Sequence, residues 1–511
     1  MNGLVSLVGA GPGDPGLITV LGARRIGEAD VVVYDRLANP RLLDGARHDT
    51  EMIYAGKQPD RHAMTQDEIN GLLVERGLAG QRVVRLKGGD PYVFGRGGEE
   101  AIALRRAGVA FEVVPGVTSA VAAPAYAGVP VTHRGVAASF AVITGHEDPD
   151  KDESSIDWAA IAGGADTLVF LMGVKTLPQI SRQLIAHGRR ADTPVALVRW
   201  GTTPRQTTLT GRLDDIAELA ADAGLKPPVV IVVGDVVTLR GPLGWFEERP
   251  LFGLTVVVTR ARAQASELSR LLEDQGAEVI ELPAIEIEES FDGAQVAGAI
   301  QRLAAHEYAW VVFTSANGVE RFFDHLASTG LDARAFGGAL LAAIGPGTAA
   351  ALVQRGLRPD LVPDEFVAEG LLQAFGGHDL AGRRILLPRA DAARRELIDG
   401  LEAAGAAVDE LILYRSSVPA DVPAETLGRV RSGDFDIVTF ASSSTVRNLA
   451  SLLGGLEGLN GATVASIGPI TSATAREHGL DVAIEAEEHS VPGLARAIVD
   501  HFTREEADVN A

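Results

Sequence analysis

Gly9-Ala-Gly-Pro-Gly-Asp-Pro-Gly16, Arg85-Leu-Lys-Gly-Gly-Asp-Pro91 and Val114-Pro-Gly-Val-Thr-Ser119 each follow an apolar run. Each reads as a strand ending in a chain reversal dense in glycine and proline. In α/β proteins, loops at the carboxyl ends of strands converge on one crevice, and ligands bind there. Glycine lets the main chain approach a ligand closely, so three such bends imply a ligand held largely by backbone.

Working outward, the chain reads as repeated strand–loop–helix units from residue 3 to about 240. Val31–Tyr34, Val83–Leu86, Ala141–Thr144, Leu168–Leu171, Val195–Val198 and Val229–Val233 are short apolar runs rich in β-branched residues. Runs apolar throughout, rather than alternating, suit strands covered by helices on both faces. Gly98–Ala107 is predicted helical, with Glu99 and Glu100 early and Arg105 and Arg106 late, an order that complements the helix dipole. Gly241–Pro250 breaks the pattern, and residues 241–251 are expected to be a linker.

The remainder, 252–505, contains an internal repeat. Val256-Val-Val-Thr-Arg-Ala-Arg-Ala263 matches Ile385-Leu-Leu-Pro-Arg-Ala-Asp-Ala392, which places Arg260 and Arg389 at equivalent positions. Ala343-Ile-Gly-Pro-Gly-Thr348 matches Ser466-Ile-Gly-Pro-Ile-Thr471. Matching units this long imply two similar α/β lobes rather than a solenoid.

A chain of 511 residues with 46% hydrophobic and 22% charged residues has room for two to four globular domains. There is no cysteine, so disulfides, thiolate nucleophiles and thiolate-held metals are excluded. The 11 histidines form no pair at ligand spacing, and no metal is expected. No apolar run is long enough to span a membrane, and Met1–Val8 lacks a signal peptide's basic start, so the cytoplasm is the expected location. A net charge of −22 argues against nucleic acid. The same charge requires that any anionic substrate meet a local cluster of cations.

A dinucleotide-binding fingerprint fails in the first bend, because Asp14 stands where its third glycine belongs and Pro12 follows the second. With Arg96-Gly-Gly-Glu-Glu100 added, the three bends instead resemble the tetrapyrrole methyltransferases, most closely uroporphyrinogen-III C-methyltransferase. The resemblance covers residues 1–240 and implies a two-lobed α/β fold holding S-adenosylmethionine, with S-adenosylhomocysteine as product. It implies donor contacts from Pro12, Gly88, Gly89, Asp90, Val93, Thr118, Ser119, Met172 and Gly201, with Asp90 free to hold a hydroxyl or ammonium. It further implies Asp35 as proton acceptor, Lys57 as proton donor, and Arg96, Glu99 and Arg134 at the macrocycle. Uroporphyrinogen carries eight carboxylates, which arginine grips bidentately. Taken singly, Asp35 also reads as a helix cap, Lys57 as a loop lysine and Met172 as core.

The second half is similar to uroporphyrinogen-III synthase, through Val312-Phe-Thr-Ser315, the doubled Ile-Gly-Pro-x-Thr loop and Leu413-Tyr-Arg415. That family closes linear hydroxymethylbilane while inverting the last ring, without a cofactor. The resemblance implies one lobe from about 252–286 with 417–505 and another from about 287–416. Glu281–Ile287 and Glu410–Ser416 would form the hinge between them. Tyr414 is the expected proton donor, or else a hinge tyrosine packed between lobes. Ser315, Ser443 and Thr471 are expected at acetate and propionate groups, or as helix caps. Arg260 and Arg389 are expected at carboxylates, or in salt bridges.

The second half's product would be the first half's substrate, giving precorrin-2 for sirohaem or cobalamin. The resemblance also implies a homodimer through the methyltransferase half, with small tetrapyrroles as the only other partners. Three alternatives stay open: methylation of another corrinoid carbon, a nicotinamide enzyme, and a second half that only binds a tetrapyrrole.

Overall fold

The computed structural model describes residues 3–56, 64–145, 156–259, 262–289, 291–391, 395–419 and 422–509. They form two compact units, Met1–Gly253 and Leu254–Ala511, each built on two five-stranded sheets.

The first sheet contains β1 (Leu4–Gly9), β2 (Val31–Tyr34), β3 (Glu51–Tyr54), β4 (Arg82–Lys87) and β5 (Ala110–Val114), in the order β3-β2-β4-β1-β5 and parallel throughout. In β1, Val5, Leu7 and Val8 are buried, as expected for a strand covered on both faces. Val8 lies opposite Leu86 on β4 and Val114 on β5. The three glycine-rich bends therefore leave one edge of the sheet side by side, from three adjacent strands.

The second sheet contains β6 (Phe140–Thr144), β7 (Thr167–Leu171), β8 (Pro194–Arg199), β9 (Thr207–Arg212) and β10 (Val229–Val233), in the order β6-β7-β10-β8-β9. Here the strand directions are mixed. Only β6 and β7 run parallel, whereas β10 is antiparallel to both β7 and β8, and β9 to β8. A continuous apolar run reports burial on both faces and carries no information about direction. β9 escaped the sequence reading because Thr207-Thr-Leu-Thr-Gly-Arg212 is a polar edge strand.

The stretch 241–251 is not a free linker. Trp245 and Phe246 pack against Tyr126 at 5.0 and 4.7 Å between ring centroids, and Arg249 lies 4.9 Å over both. The Trp245 indole N–H donates to the Ala125 carbonyl at 3.1 Å. Proline and glycine marked a break in regular structure, but between them Phe246 is buried and Trp245 packs at its edge, 43% exposed.

The second unit carries β11 (Thr255–Val258), β12 (Glu278–Glu281), β13 (Glu286–Glu289), β14 (Trp310–Phe313), β15 (Leu340–Ala343), β16 (Arg384–Ala390), β17 (Ala407–Ser417), β18 (Ile437–Phe440), β19 (Thr463–Ser466) and β20 (Val482–Glu485). One sheet runs β12-β11-β18-β19-β20, the other β13-β17-β16-β14-β15. The sequence repeat is thus a structural one: β12-β11-β18-β19 corresponds in order to β17-β16-β14-β15. The chain leaves one sheet at Glu281 and enters the other at Glu286, where β13 pairs antiparallel with β17, Glu288 opposite Arg415. Among the described residues no helix is long and apolar enough to cross a membrane, and no His/Asp/Glu cluster suits a metal ion.

Candidate active sites

In the first unit the bends are joined through backbone. The Gly11 N–H donates to the Gly89 carbonyl at 3.2 Å, and the Gly89 N–H returns a bond to Gly11 at 2.7 Å. A Cβ on Gly9 would lie 2.4 Å from the Gly116 Cα, and one on Gly116 would lie 2.2 Å from the Gly89 carbonyl oxygen. Only glycine fits at this crossing. Asp90, expected to hold a ligand, instead accepts the Gly116 N–H at 3.0 Å and the Tyr92 N–H at 2.8 Å. Its carboxylate straps the second bend to the third. Gly89 itself has φ +68°, and a Cβ there would meet only the Thr118 Cα and Ser119 nitrogen, both at 3.9 Å. Gly89, Thr118 and Ser119 therefore border one small cradle.

The first bend also reaches the second sheet. The Asp14 N–H donates to Thr202 Oγ1 at 3.1 Å, and the Tyr126 hydroxyl donates to Asp14 Oδ2 at 2.9 Å. A Cβ on Gly13 would stand 3.4 Å from the Gly201 carbonyl oxygen. Pro12 lies between these anchor points and the Gly11–Gly89 pair.

Beside the cradle is a cavity of about 550 Å³ lined by Pro91, Tyr92, Phe94, Arg96, Glu99 and Met172, among others. Phe94, Arg96 and Met172 all have left-handed backbone, with φ of +53°, +59° and +59°. Non-glycine residues held this way carry strain of about 1–3 kcal/mol each and cluster at functional sites. Arg96 grips Glu99 bidentately, Nε to Oε1 at 2.8 Å and Nη2 to Oε2 at 2.7 Å. The pair stays ionised, since the guanidinium hydrogen bonds hold the Glu99 carboxyl below the usual carboxylate range. Val93 shares the turn, its N–H on the Asp90 carbonyl at 3.3 Å. Arg134 is exposed in the His133–Ala137 turn and does not line the cavity.

Asp35 closes β2, and a Cβ on Gly88 would lie 2.6 Å from the Cβ of Leu37, so this strand end abuts the second bend. Its Oδ2 accepts from Arg85 Nη2 at 3.1 Å. Arg85 in turn meets a fully buried Glu100, to which Lys87 Nζ also donates at 2.7 Å. The sequence alone assigns Arg85, Lys87 and Glu100 no role at the site. Their signal was two cations inside the otherwise apolar strand Val83-Val-Arg-Leu-Lys87. Lys57 lies outside the described residues.

In the second unit, the Tyr414 hydroxyl lies 2.8 Å from Ser315 Oγ, and Tyr414 is only 5% exposed. Burial pushes the Tyr414 phenol's pKa up. Ser315 caps the helix Ala316–Ser328, accepting the Gly318 N–H at 3.0 Å. The expected proton donor is thus a packed core tyrosine tied to a helix cap. Arg389 is likewise buried and pairs with Glu410 at 3.4 Å, so it is not an open carboxylate ligand. Both corrections share a cause: each residue sits on a strand flanked by helices, where polar groups must find internal partners. Ser443 hydrogen-bonds the Ile470 carbonyl at 3.3 Å, joining the ends of β18 and β19. Thr471 is buried in the first turn of the helix Pro469–Glu477. Arg260 lies outside the described residues.

Comparison with known proteins follows this division. The family model for tetrapyrrole (corrin/porphyrin) methylases matches residues 4–217, and that for uroporphyrinogen-III synthase HemD matches 266–496. The chain is 36% identical over 503 residues to the porphyrin biosynthesis protein HemD of Ruminiclostridium josui, covering 98% of each. It is 52% identical over 235 residues to the uroporphyrinogen-III C-methyltransferase of Priestia megaterium, covering 46% of this chain and 98% of that one. A solved uroporphyrin-III C-methyltransferase from Thermus thermophilus is 42% identical with a TM-score of 0.40, covering 46% of this chain and 99% of that one. The chain therefore belongs to the tetrapyrrole methylases over its first half and to the uroporphyrinogen-III synthases over its second, a fusion of the two families in one polypeptide.

Proposed function

We propose that the second half cyclises hydroxymethylbilane to uroporphyrinogen III, inverting ring D, and that the first half methylates this product twice to precorrin-2. The observation that carries the reading is the glycine-only crossing of Gly9, Gly89 and Gly116 beside a cavity lined by strained Phe94, Arg96 and Met172. Pro12, Gly88, Gly89, Val93, Thr118, Ser119, Met172 and Gly201 would hold S-adenosylmethionine, with Asp90 acting through the loops it straps. When bound, this sulfonium supplies the methyl group and leaves as S-adenosylhomocysteine.

The residues of the chain then have three tasks. Rigid bends align the two reacting centres, which an in-line displacement requires. Arg96, already exposed and paired with Glu99, exchanges that partner for a substrate carboxylate. Asp35 takes the proton that the methylated carbon framework must lose, with Lys57 as the donor at the other stage. For the synthase half, Ser443 and Thr471 hold side-chain carboxylates, Ser315 and Tyr414 shape the lobe behind them, and no cofactor takes part. The reading includes a homodimer through the methylase half and a cytoplasmic setting. Arg134 would serve a carboxylate at the outer rim.

Incubating the full chain with hydroxymethylbilane, with and without S-adenosylmethionine, tests this by mass spectrometry. Uroporphyrinogen III alone, and a dimethylated product on adding the donor, is the expected pair. Cyclisation with no gain of methyl mass rejects the first-half assignment, and methylation only of added uroporphyrinogen III rejects the second.

A further inference from the structure

Beneath the first site lies a chain of four charges, Asp35–Arg85–Glu100–Lys87, of which the proposed chemistry uses only Asp35. Glu100 is 0% exposed, and its Oε1 receives Lys87 Nζ at 2.7 Å, Gln66 Nε2 at 3.2 Å and Arg85 Nε at 3.3 Å. Its other oxygen is buried with no hydrogen-bond partner. Arg85 is also buried. Its Nη1 donates to the Val33 and Leu86 carbonyls at 3.3 and 3.2 Å, and its Nη2 to Asp35. Asp35, with its side chain 30% exposed, is the one member that opens appreciably to solvent. Charges alternate along the chain and cancel.

Burying such a set is expensive, and an apolar packing of equal volume is often as stable or more so. Apolar neighbours were available, since Val83, Val84 and Leu86 are the other buried residues of β4. Position supplies the reason for keeping the charges. Lys87 directly precedes Gly88, Glu100 follows Glu99 on the helix Gly97–Arg106, and Asp35 ends the adjacent strand.

We propose that Glu100, acting through Arg85, is a positioning residue that orients the Asp35 carboxylate and sets its strength as a proton acceptor. This rests on the reading of Asp35 as that acceptor. Glu100 divides the pull of Arg85 and neutralises Lys87. Without its charge, both cations bear on Asp35, stabilise its carboxylate and make it a weaker base. Without Arg85, the carboxylate loses its cation and becomes harder to ionise. Among the described residues, the charged groups bearing on Asp35 from the packed elements are Arg85 and Lys87 on β4 and, behind them, Glu100 on the helix.

The test uses the full chain and the variants Glu100→Gln, Arg85→Gln and Asp35→Asn. Calorimetry measures S-adenosylhomocysteine binding, thermal unfolding and circular dichroism of each variant check that the first unit is folded, and methylation kcat and KM are followed against pH. Glu100→Gln is expected to keep S-adenosylhomocysteine affinity and KM within about twofold, to lower kcat about tenfold, and to move the acid limb of the kcat profile to lower pH. Arg85→Gln is expected to move that limb to higher pH. If Arg85→Gln does not fold, Glu100→Asp takes its place and should return the limb to its original position. Limbs that stay put in the variants, or a kcat loss matched by lost ligand affinity, overturn the positioning role while an inactive Asp35→Asn leaves the acceptor reading standing. A fully active Asp35→Asn removes that reading and the positioning role with it.

Discussion

In the first unit the strand ends are joined backbone to backbone, through Gly9, Gly11, Gly89 and Gly116, with Asp90 as a strap. In the second unit the corresponding strand ends carry hydroxyls: Ser315 caps one helix, Ser442 another, and Ser443 ties two neighbouring loops. A crossing that admits no side chain leaves a fixed, backbone-lined surface. Hydroxyl caps at the ends of two similar sheets offer side-chain donors rather than bare backbone. The lesson is that two tetrapyrrole-biosynthesis domains in one chain can build opposite kinds of strand end within one class of fold.

The most severe way to break this contrast is Gly116→Ala. Its Cβ would sit 2.2 Å from the Gly89 oxygen, so the bends must part. Methylation and S-adenosylhomocysteine binding should fall by about 100-fold or more, while bilane cyclisation is unchanged. Next is Arg389→Met, which removes a buried guanidinium and leaves partly exposed Glu410 to Arg395, 3.6 Å away. A stability loss of about 2–3 kcal/mol is expected, read by denaturant unfolding, with KM for hydroxymethylbilane unaltered. A raised KM at unchanged stability would restore Arg389 as a ligand.

A smaller effect separates electrostatics from shape. Hydrogen bonds from the Arg82 backbone and side chain hold Asp30 at about 2, below the usual 3.8. A depressed carboxylate contributes stability above its unfolded pKa and loses it as pH falls through the folded one. Asp30→Asn should therefore cost about 1–2 kcal/mol at pH 7, after allowing for partial exposure. The difference from the parent should fade between about pH 4 and pH 2. The mildest change is Tyr414→Phe. Loss of the 2.8 Å contact with Ser315 should lower stability by about 1 kcal/mol and cyclisation by less than about fivefold. A loss of 100-fold or more in cyclisation would make the phenol a proton donor after all.

The same contrast explains what could be read beforehand. Glycine and proline at Gly9–Gly16, Arg85–Pro91 and Val114–Ser119 have a backbone meaning that holds whatever packs around them, so the first cradle was legible. The repeat was legible too, because Arg260 and Arg389, Gly276 and Gly405 keep a spacing of 129. A serine or an arginine has no such fixed meaning. Tyr414 and Arg389 stood in suggestive motifs, yet the fold buries both, and burial depends on which elements cover a strand. Strand direction in the second sheet was hidden for a related reason, since Val229–Val233 looks the same pointing either way. The burial of Glu100 is not legible from its place early in a dipole-complementing helix, because charge order along a helix does not say which face turns inward. The aromatic packing of Trp245 and Phe246 was masked by the prolines and glycines around them.

Calorimetric titration of S-adenosylhomocysteine into the full chain and into Gly116→Ala tests the central claim most directly. One site per chain in the parent, lost in the variant while bilane cyclisation persists, is the predicted result. No binding to the parent, or equal binding to both proteins, would contradict a donor seated at the glycine crossing.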